Sequence, residues 1–138
     1  MSILEGQFES SFQNAERAVK KIIDLVTSDH YFSAPNQRFF IDFVVRELLN
    51  NAVEYGNKND IRKTVAYKLD NTMDYIEFSV RDQGDGFNLE EAIKADQDSG
   101  IVSVRNRGLL AAVKLNWNLS VHGGTITAWF HYRNNKEG

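Results

Sequence analysis

Two pairs of alternating segments, each pair closed by a short turn, constrain this chain more than any other feature. Arg62–Leu69 and Tyr75–Arg81 alternate apolar and polar residues on either side of Asp70-Asn71-Thr72-Met73-Asp74. Trp117, Leu119 and Val121 alternate before His122-Gly123-Gly124, and Ile126, Ala128 and Phe130 alternate after it. Alternation at period two predicts strands, and so short a connection predicts hairpins. A doubly wound parallel sheet would require a helix between the members of each pair, and there is none. With helical patterns elsewhere in the chain, the class that follows is α+β: a two-layer α/β sandwich whose mostly antiparallel, mixed sheet is covered by helices.

The helical patterns are equally local. Ala15, Val19, Ile22, Ile23 and Val26 recur at helical spacing, with Ser10 and Gln13 spaced like a capping box. Ser33, Pro35 and Asn36 mark the start of a second helix that runs to about Tyr55, with Gly56 and Asn57 as its stop. Asn88 is placed to cap a short helix through Ile93, and a further helix is expected from Arg107 or Gly108 to about Leu115. Residues around 3–9 alternate weakly, as an edge strand does.

Composition narrows the function. At 138 residues and 42% hydrophobic, the chain is expected to be one domain, residues 1–138, with one core. A net charge of −3 gives no basic face for nucleic acid. The absence of cysteine excludes disulfides, thiolate chemistry and Cys-ligated zinc. His30, His122 and His131 show no metal-ligand spacing. The first ten residues lack the basic start and apolar run of a signal peptide, and no apolar run is long enough to span a bilayer. The expectation is a soluble, cytoplasmic protein with no membrane partner.

Three polar clusters interrupt the apolar patterns. The first is RELLNNAVEYGN, Arg46–Asn57, where Val44, Val45, Leu48, Ala52 and Tyr55 extend the apolar stripe that begins at Ile41. Glu47 and Asn51 fall one turn apart on the flank of that stripe, where they face neither open solvent nor the middle of the core. As a bland polar border they need no ligand; as a pocket wall they would meet one. The second cluster follows the strand Tyr75–Arg81. Ile76, Phe78 and Val80 share one face, and Asp82 continues the same parity, which is costly for a carboxylate unless it meets a donor. Gly84 and Gly86 follow and remove side chains where something approaches the backbone. The third is SVRNRGLL, Ser103–Leu110, with two arginines before Gly108 at a helix start, a place that favours an anion. The polar, aperiodic stretch before it, Ala95–Val104, is expected to act as a lid. No GxxxxGK[ST] occurs, so a nucleotide site here is not a P-loop.

Taken in order, the clusters resemble the Bergerat ATP-binding fold shared by histidine kinases, type II topoisomerases and anti-sigma factor serine/threonine kinases. ELLNNA (Glu47–Ala52) resembles the N box, DQGDGF (Asp82–Phe87) the adenine-contacting glycine box, RNRGLL (Arg105–Leu110) the glycine box after the lid, and HGGTIT (His122–Thr127) the final hairpin. Small size, a short lid and the lack of a phosphoacceptor helix pair bring the chain nearest to the anti-sigma factor kinases. The resemblance implies ATP and Mg²⁺ as cofactors, with Asn51 on the metal and Glu47 as the catalytic base or the group that orients the attacking hydroxyl. It implies that Asp82 accepts from the adenine amino group, with Gly84 and Gly86 close to the base and Thr125 contributing at the adenine end. Arg105, Arg107 and Gly108 would lie near the phosphates.

These residue types suit those tasks. An amide oxygen is a hard ligand for Mg²⁺. A carboxylate only accepts, and so favours an amino over a keto group. Two positions depart from the family pattern. Tyr55 replaces the usual His of the N box, on the core side of the helix. Asn106 replaces a lid-box glycine, which reduces backbone freedom beside the phosphates and is expected to slow lid closure.

By the same resemblance, the partners are a STAS-domain anti-anti-sigma protein, which would be phosphorylated, and a sigma factor; a homodimer is open to the chain. Two other functions fit the boxes. One is a nucleotide-gated binding module with little or no transfer activity, and the other is the catalytic domain of a split histidine kinase.

Overall fold

The computed structural model describes residues 2–27, 35–71, 74–84, 118–122 and 125–131. In chain order these form β1 (Ser2–Glu9), α1 (Phe12–Thr27), α2 (Pro35–Asn51) with a π turn (Ala52–Gly56) at its end, β2 (Thr64–Asn71), β3 (Tyr75–Arg81), β4 (Asn118–His122) and β5 (Thr125–His131). The strands make one sheet in the order β1-β2-β3-β5-β4, and all four pairings are antiparallel. The fold is thus α+β and consistent with a Bergerat-like ATPase domain, but among the described residues the sheet is wholly antiparallel rather than mixed. Both predicted hairpins are present, β2–β3 and β4–β5, and β1 lies at the edge.

One face of the sheet carries the core. Val65, Tyr67 and Leu69 of β2, Ile76, Phe78 and Val80 of β3, and Ile126 and Ala128 of β5 are buried, and they share that face by strand parity. Helix α1 lays Ala15, Ala18, Val19, Ile22, Ile23 and Val26 into the same core. Helix α2 adds Ile41, Val44, Val45, Leu48 and Leu49. Each fully buried Val, Ile, Leu or Phe contributes roughly 1.5–3 kcal/mol, so this interlock of two helices on one face is what fixes the layers. Arg46 ties the helices at their surface, bonding Asp42 one turn back and Glu16 on α1.

Two local details differ from the sequence pattern, each for a visible reason. Helix α1 is capped by Ser11 rather than Ser10: the Asn14 N–H donates to Ser11 Oγ at 3.1 Å, and the Asn14 amide reaches back to the Glu9 carbonyl at 2.8 Å. Ser10 is held instead by its backbone N–H on the Lys63 carbonyl (2.9 Å), which buries it to 2% exposure. Strand β2 starts at Thr64, not Arg62, because the Arg62 N–H and guanidinium fold back onto the Asp60 carboxylate at 3.0 Å in an Asx-type turn. That arginine holds the Asp60 carboxyl down at about 2. At the edge of the sheet, Gly6 faces Tyr67 across β1–β2, and a side chain on Gly6 would meet the Tyr67 ring at 3.0 Å or less. The ring therefore lies over the glycine and fills its place.

The expected helices Asn88–Ile93 and 107–115, the lid Ala95–Val104 and Trp117 lie outside the described residues.

Candidate functional site

Helix α2 carries Glu47 and Asn51 on one flank, held there because Val44, Val45, Leu48 and Leu49 on the neighbouring face are buried. Asn51 is 5% exposed, and its Nδ2 has no hydrogen-bond partner among the described residues. Leaving a buried amide group unmatched costs roughly 1–3 kcal/mol, a cost that a ligand meeting it would recover. Glu47 is half-buried, and that burial pushes its carboxyl above the ordinary carboxylate range; the charge of Glu54 pushes the same way. Both groups therefore stand partly withdrawn from water beside each other on the helix.

Beyond Asn51 the helix does not run on as a regular α-helix to Tyr55. It widens into the π turn, whose last bond joins the Asn57 N–H to the Ala52 carbonyl at 2.8 Å. Such single π turns concentrate at functional sites. Gly56 and Asn57 do end the helix, but not by a left-handed glycine. The left-handed residues are Lys58 (φ 54°) and Asn59 (φ 61°). What requires glycine at position 56 is contact: a Cβ there would collide with the Asp82 carboxylate and come within 2.8 Å of Asp82 Cβ.

Asp82 follows β3 on the core parity and enters a tight turn, in which the Gly84 N–H donates to Asp82 Oδ1 at 2.8 Å. Gly84 in turn lies against the carbonyl of Gly56, and a Cβ on it would come within 2.8 Å of that carbonyl carbon. Two glycines thus let the end of α2 and the turn after β3 touch backbone to backbone. Asn57 locks the contact. Its Oδ1 accepts from the Gln83 N–H at 2.7 Å, its Nδ2 donates to the Thr64 carbonyl at 2.9 Å, and the Gln83 side chain accepts from the Thr64 N–H at 2.8 Å. The first two polar clusters of the sequence are joined in space by this ring of bonds.

Of the site residues expected from sequence, Glu47, Asn51, Asp82 and Gly84 lie on these two adjoining segments. Gly86, Arg105, Arg107 and Gly108 lie outside the described residues, as does the lid. Thr125 sits opposite Arg81 across β3–β5, and with Arg81, Ser79, Lys68, Gln7 and Glu5 it lines a cavity of about 550 Å³ on the sheet face away from the helices. Asn57 was expected only as a helix stop. An Asn after Gly carries no signal in the sequence that its amide will be buried and doubly bonded.

The donor set fits a nucleotide with a hard cation. Asn51 offers a buried amide, whose carbonyl oxygen can meet a cation and whose NH₂ can meet a phosphate oxygen. Asp82 offers an acceptor held in a cradle too tight for a side chain on either glycine. Among the described residues no group of three or more His, Cys, Asp or Glu could hold a metal by itself, so a cation here would draw on Asn51 together with phosphate and water. Also among them, no helix is long and apolar enough to cross a membrane.

Residues 12–129 match the family model described as the histidine kinase-like ATPase domain. No curated protein gives a significant match to the chain.

Proposed function

The chain belongs to the histidine kinase-like ATPase domain family, and from that premise we propose that it is a cytoplasmic ATP- and Mg²⁺-dependent serine/threonine protein kinase. Its substrate is a STAS-type anti-anti-sigma protein, and it also holds a sigma factor. The observation that supports the nucleotide part of this reading is the Gly56–Asp82–Gly84 contact, which packs the Asp82 carboxylate against the end of the helical segment bearing Glu47 and Asn51. The anti-sigma part rests on the resemblance of the four boxes and on the small size of the chain.

In this reading each residue has one task. Asp82 accepts from the adenine amino group and disfavours guanine, whose keto oxygen would face a carboxylate. Asn51 would hold the cation, for which its amide oxygen is a suitable hard ligand. Mg²⁺, when bound, supplies charge neutralisation along the phosphates. Glu47 takes the proton from the incoming serine or threonine hydroxyl, and its raised carboxyl makes it a better base than an exposed glutamate. Arg105, Arg107 and the N–H groups at Gly108 stabilise phosphate charge. A phosphate placed on the STAS partner adds negative charge at the interface and releases it, leaving the kinase to bind the sigma factor.

A second reading, a nucleotide-gated binding module, is favoured by Asn106 in place of the lid-box glycine. Incubation with γ-labelled ATP and a STAS domain separates the two. Label on a serine or threonine of the partner supports the kinase. Partner binding that depends on ATP, with no label transferred, rejects it for the gated module.

A further inference from the structure

Asn57 is fully buried, and each end of its amide is bonded to a different backbone segment. Such a residue has two possible roles. It can be a structural clamp whose loss lowers stability and nothing else, or it can set the geometry of a neighbour that meets the ligand. The identity of the bonded groups discriminates. The N–H that Asn57 accepts from belongs to the peptide linking Asp82 to Gln83, so the 2.7 Å bond fixes the plane of that peptide. One end of Asp82 is thereby anchored to the last turn of α2. A second constraint on Asp82 is the Gly84 N–H on its Oδ1 at 2.8 Å. The carboxylate is thus bonded within its own turn, while the peptide beside it is bonded to Asn57, the residue that caps the helical segment carrying Glu47 and Asn51.

We propose that Asn57 is a positioning residue for base recognition: by holding the Asp82–Gln83 peptide, it sets the Asp82 carboxylate at a fixed place relative to Glu47 and Asn51. This rests on the reading that Asp82 meets the adenine amino group. It has a consequence that a plain clamp lacks. Contacts to phosphate and cation are common to ATP and GTP, so loosening the Asp82 peptide removes discrimination more than it removes phosphate binding. Stability and base preference therefore separate in the variants of this ring.

The experiment is titration calorimetry of the full chain with Mg·ATP and Mg·GTP, beside thermal unfolding, for wild type, Asn57→Ala, Asn57→Asp, Gln83→Ala and Asp82→Asn. Asn57→Ala removes both bonds and is expected to lower the ATP-over-GTP preference by about 10-fold, the lower end for losing a bond to a charged group. Asn57→Asp keeps an oxygen for the Gln83 N–H but opposes an oxygen to the Thr64 carbonyl. It is expected to lose stability while it keeps the wild-type preference. Gln83→Ala, at an exposed position, leaves the Asn57 bond in place but removes the second tether of residue 83, to the Thr64 N–H, and is expected to lower the preference by about 3-fold. It carries the test if Asn57→Ala does not fold. Unchanged preference in the Asn57→Ala and Gln83→Ala proteins that fold, with only the melting temperature lowered, overturns the inference and leaves Asn57 a clamp. If wild type binds no adenine nucleotide, or binds it equally well as Asp82→Asn, the functional reading fails first and this inference with it.

Discussion

Two regions of this molecule gather polar side chains, and they differ in how they hold them. The outer face of the sheet has a hollow of about 550 Å³, with Glu5, Lys68, Ser79, Arg81 and Thr125 around it. These residues stand on strand positions that are exposed or half-buried. The second region is the junction between α2 and the turn after β3. There, however, Asn51 and Asn57 are buried, Glu47 is half-buried, and two glycines admit backbone contacts that no side chain would allow. Burying a polar group without compensation is expensive, so a chain concentrates such groups where the geometry or a ligand repays them. Desolvated and over-determined polar groups distinguish the junction from the open outer face.

The comparison breaks most sharply at Glu47. Glu47→Gln keeps shape and hydrogen bonding but removes the base, so transfer to a STAS partner should fall by about 10²–10⁴-fold. Nucleotide affinity should stay within a few-fold. Transfer at the wild-type rate by this variant would remove Glu47 from the chemistry. Next in size is Asp82→Asn, expected to weaken ATP binding by about 10- to 100-fold through loss of a bond to a charged acceptor. Equal affinities in calorimetry would detach Asp82 from the nucleotide.

Gly56→Ala tests the contact itself. The added methyl group meets the Asp82 carboxylate, and overpacking of this kind costs about 1–3 kcal/mol in chemical unfolding. By contrast, Ser79→Ala on the outer face should change stability by no more than about 0.5 kcal/mol and leave ATP binding as it was. A larger effect at Ser79 than at Gly56 would reverse the ranking of the two regions.

A smaller effect sharpens the same contrast through pH. The Glu47 carboxyl is raised in the folded protein, by burial first and by Glu54 second. A raised folded value means that its contribution to stability is complete below its unfolded value of 4.5 and is lost as pH rises through the folded value. Glu47→Gln removes that loss. The variant should therefore gain stability relative to wild type as pH is raised from 4 to 7, measured by urea unfolding. A difference that does not change over that range would mean that Glu47 is as well solvated folded as unfolded.

Much of this protein is written locally in its sequence. The α1 stripe, the start of α2 at Pro35, both hairpins and the core parity of Asp82 follow from spacing alone, because each depends on residues within a turn or two and on which face must leave water. The family could be recognised for the same reason: its boxes are short runs. What the sequence could not determine is how the runs meet. That α2 ends in a π turn, that Gly56 is a glycine for the sake of Asp82, and that the Asn57 amide holds the Gln83 N–H are facts about segments 26 residues apart. Their contact is fixed only when two helices settle on one face of a five-stranded sheet. Spacing decides which face a residue joins; the packing of whole layers decides which backbone atoms come within hydrogen-bonding distance, and only there does a helix stop become part of a site.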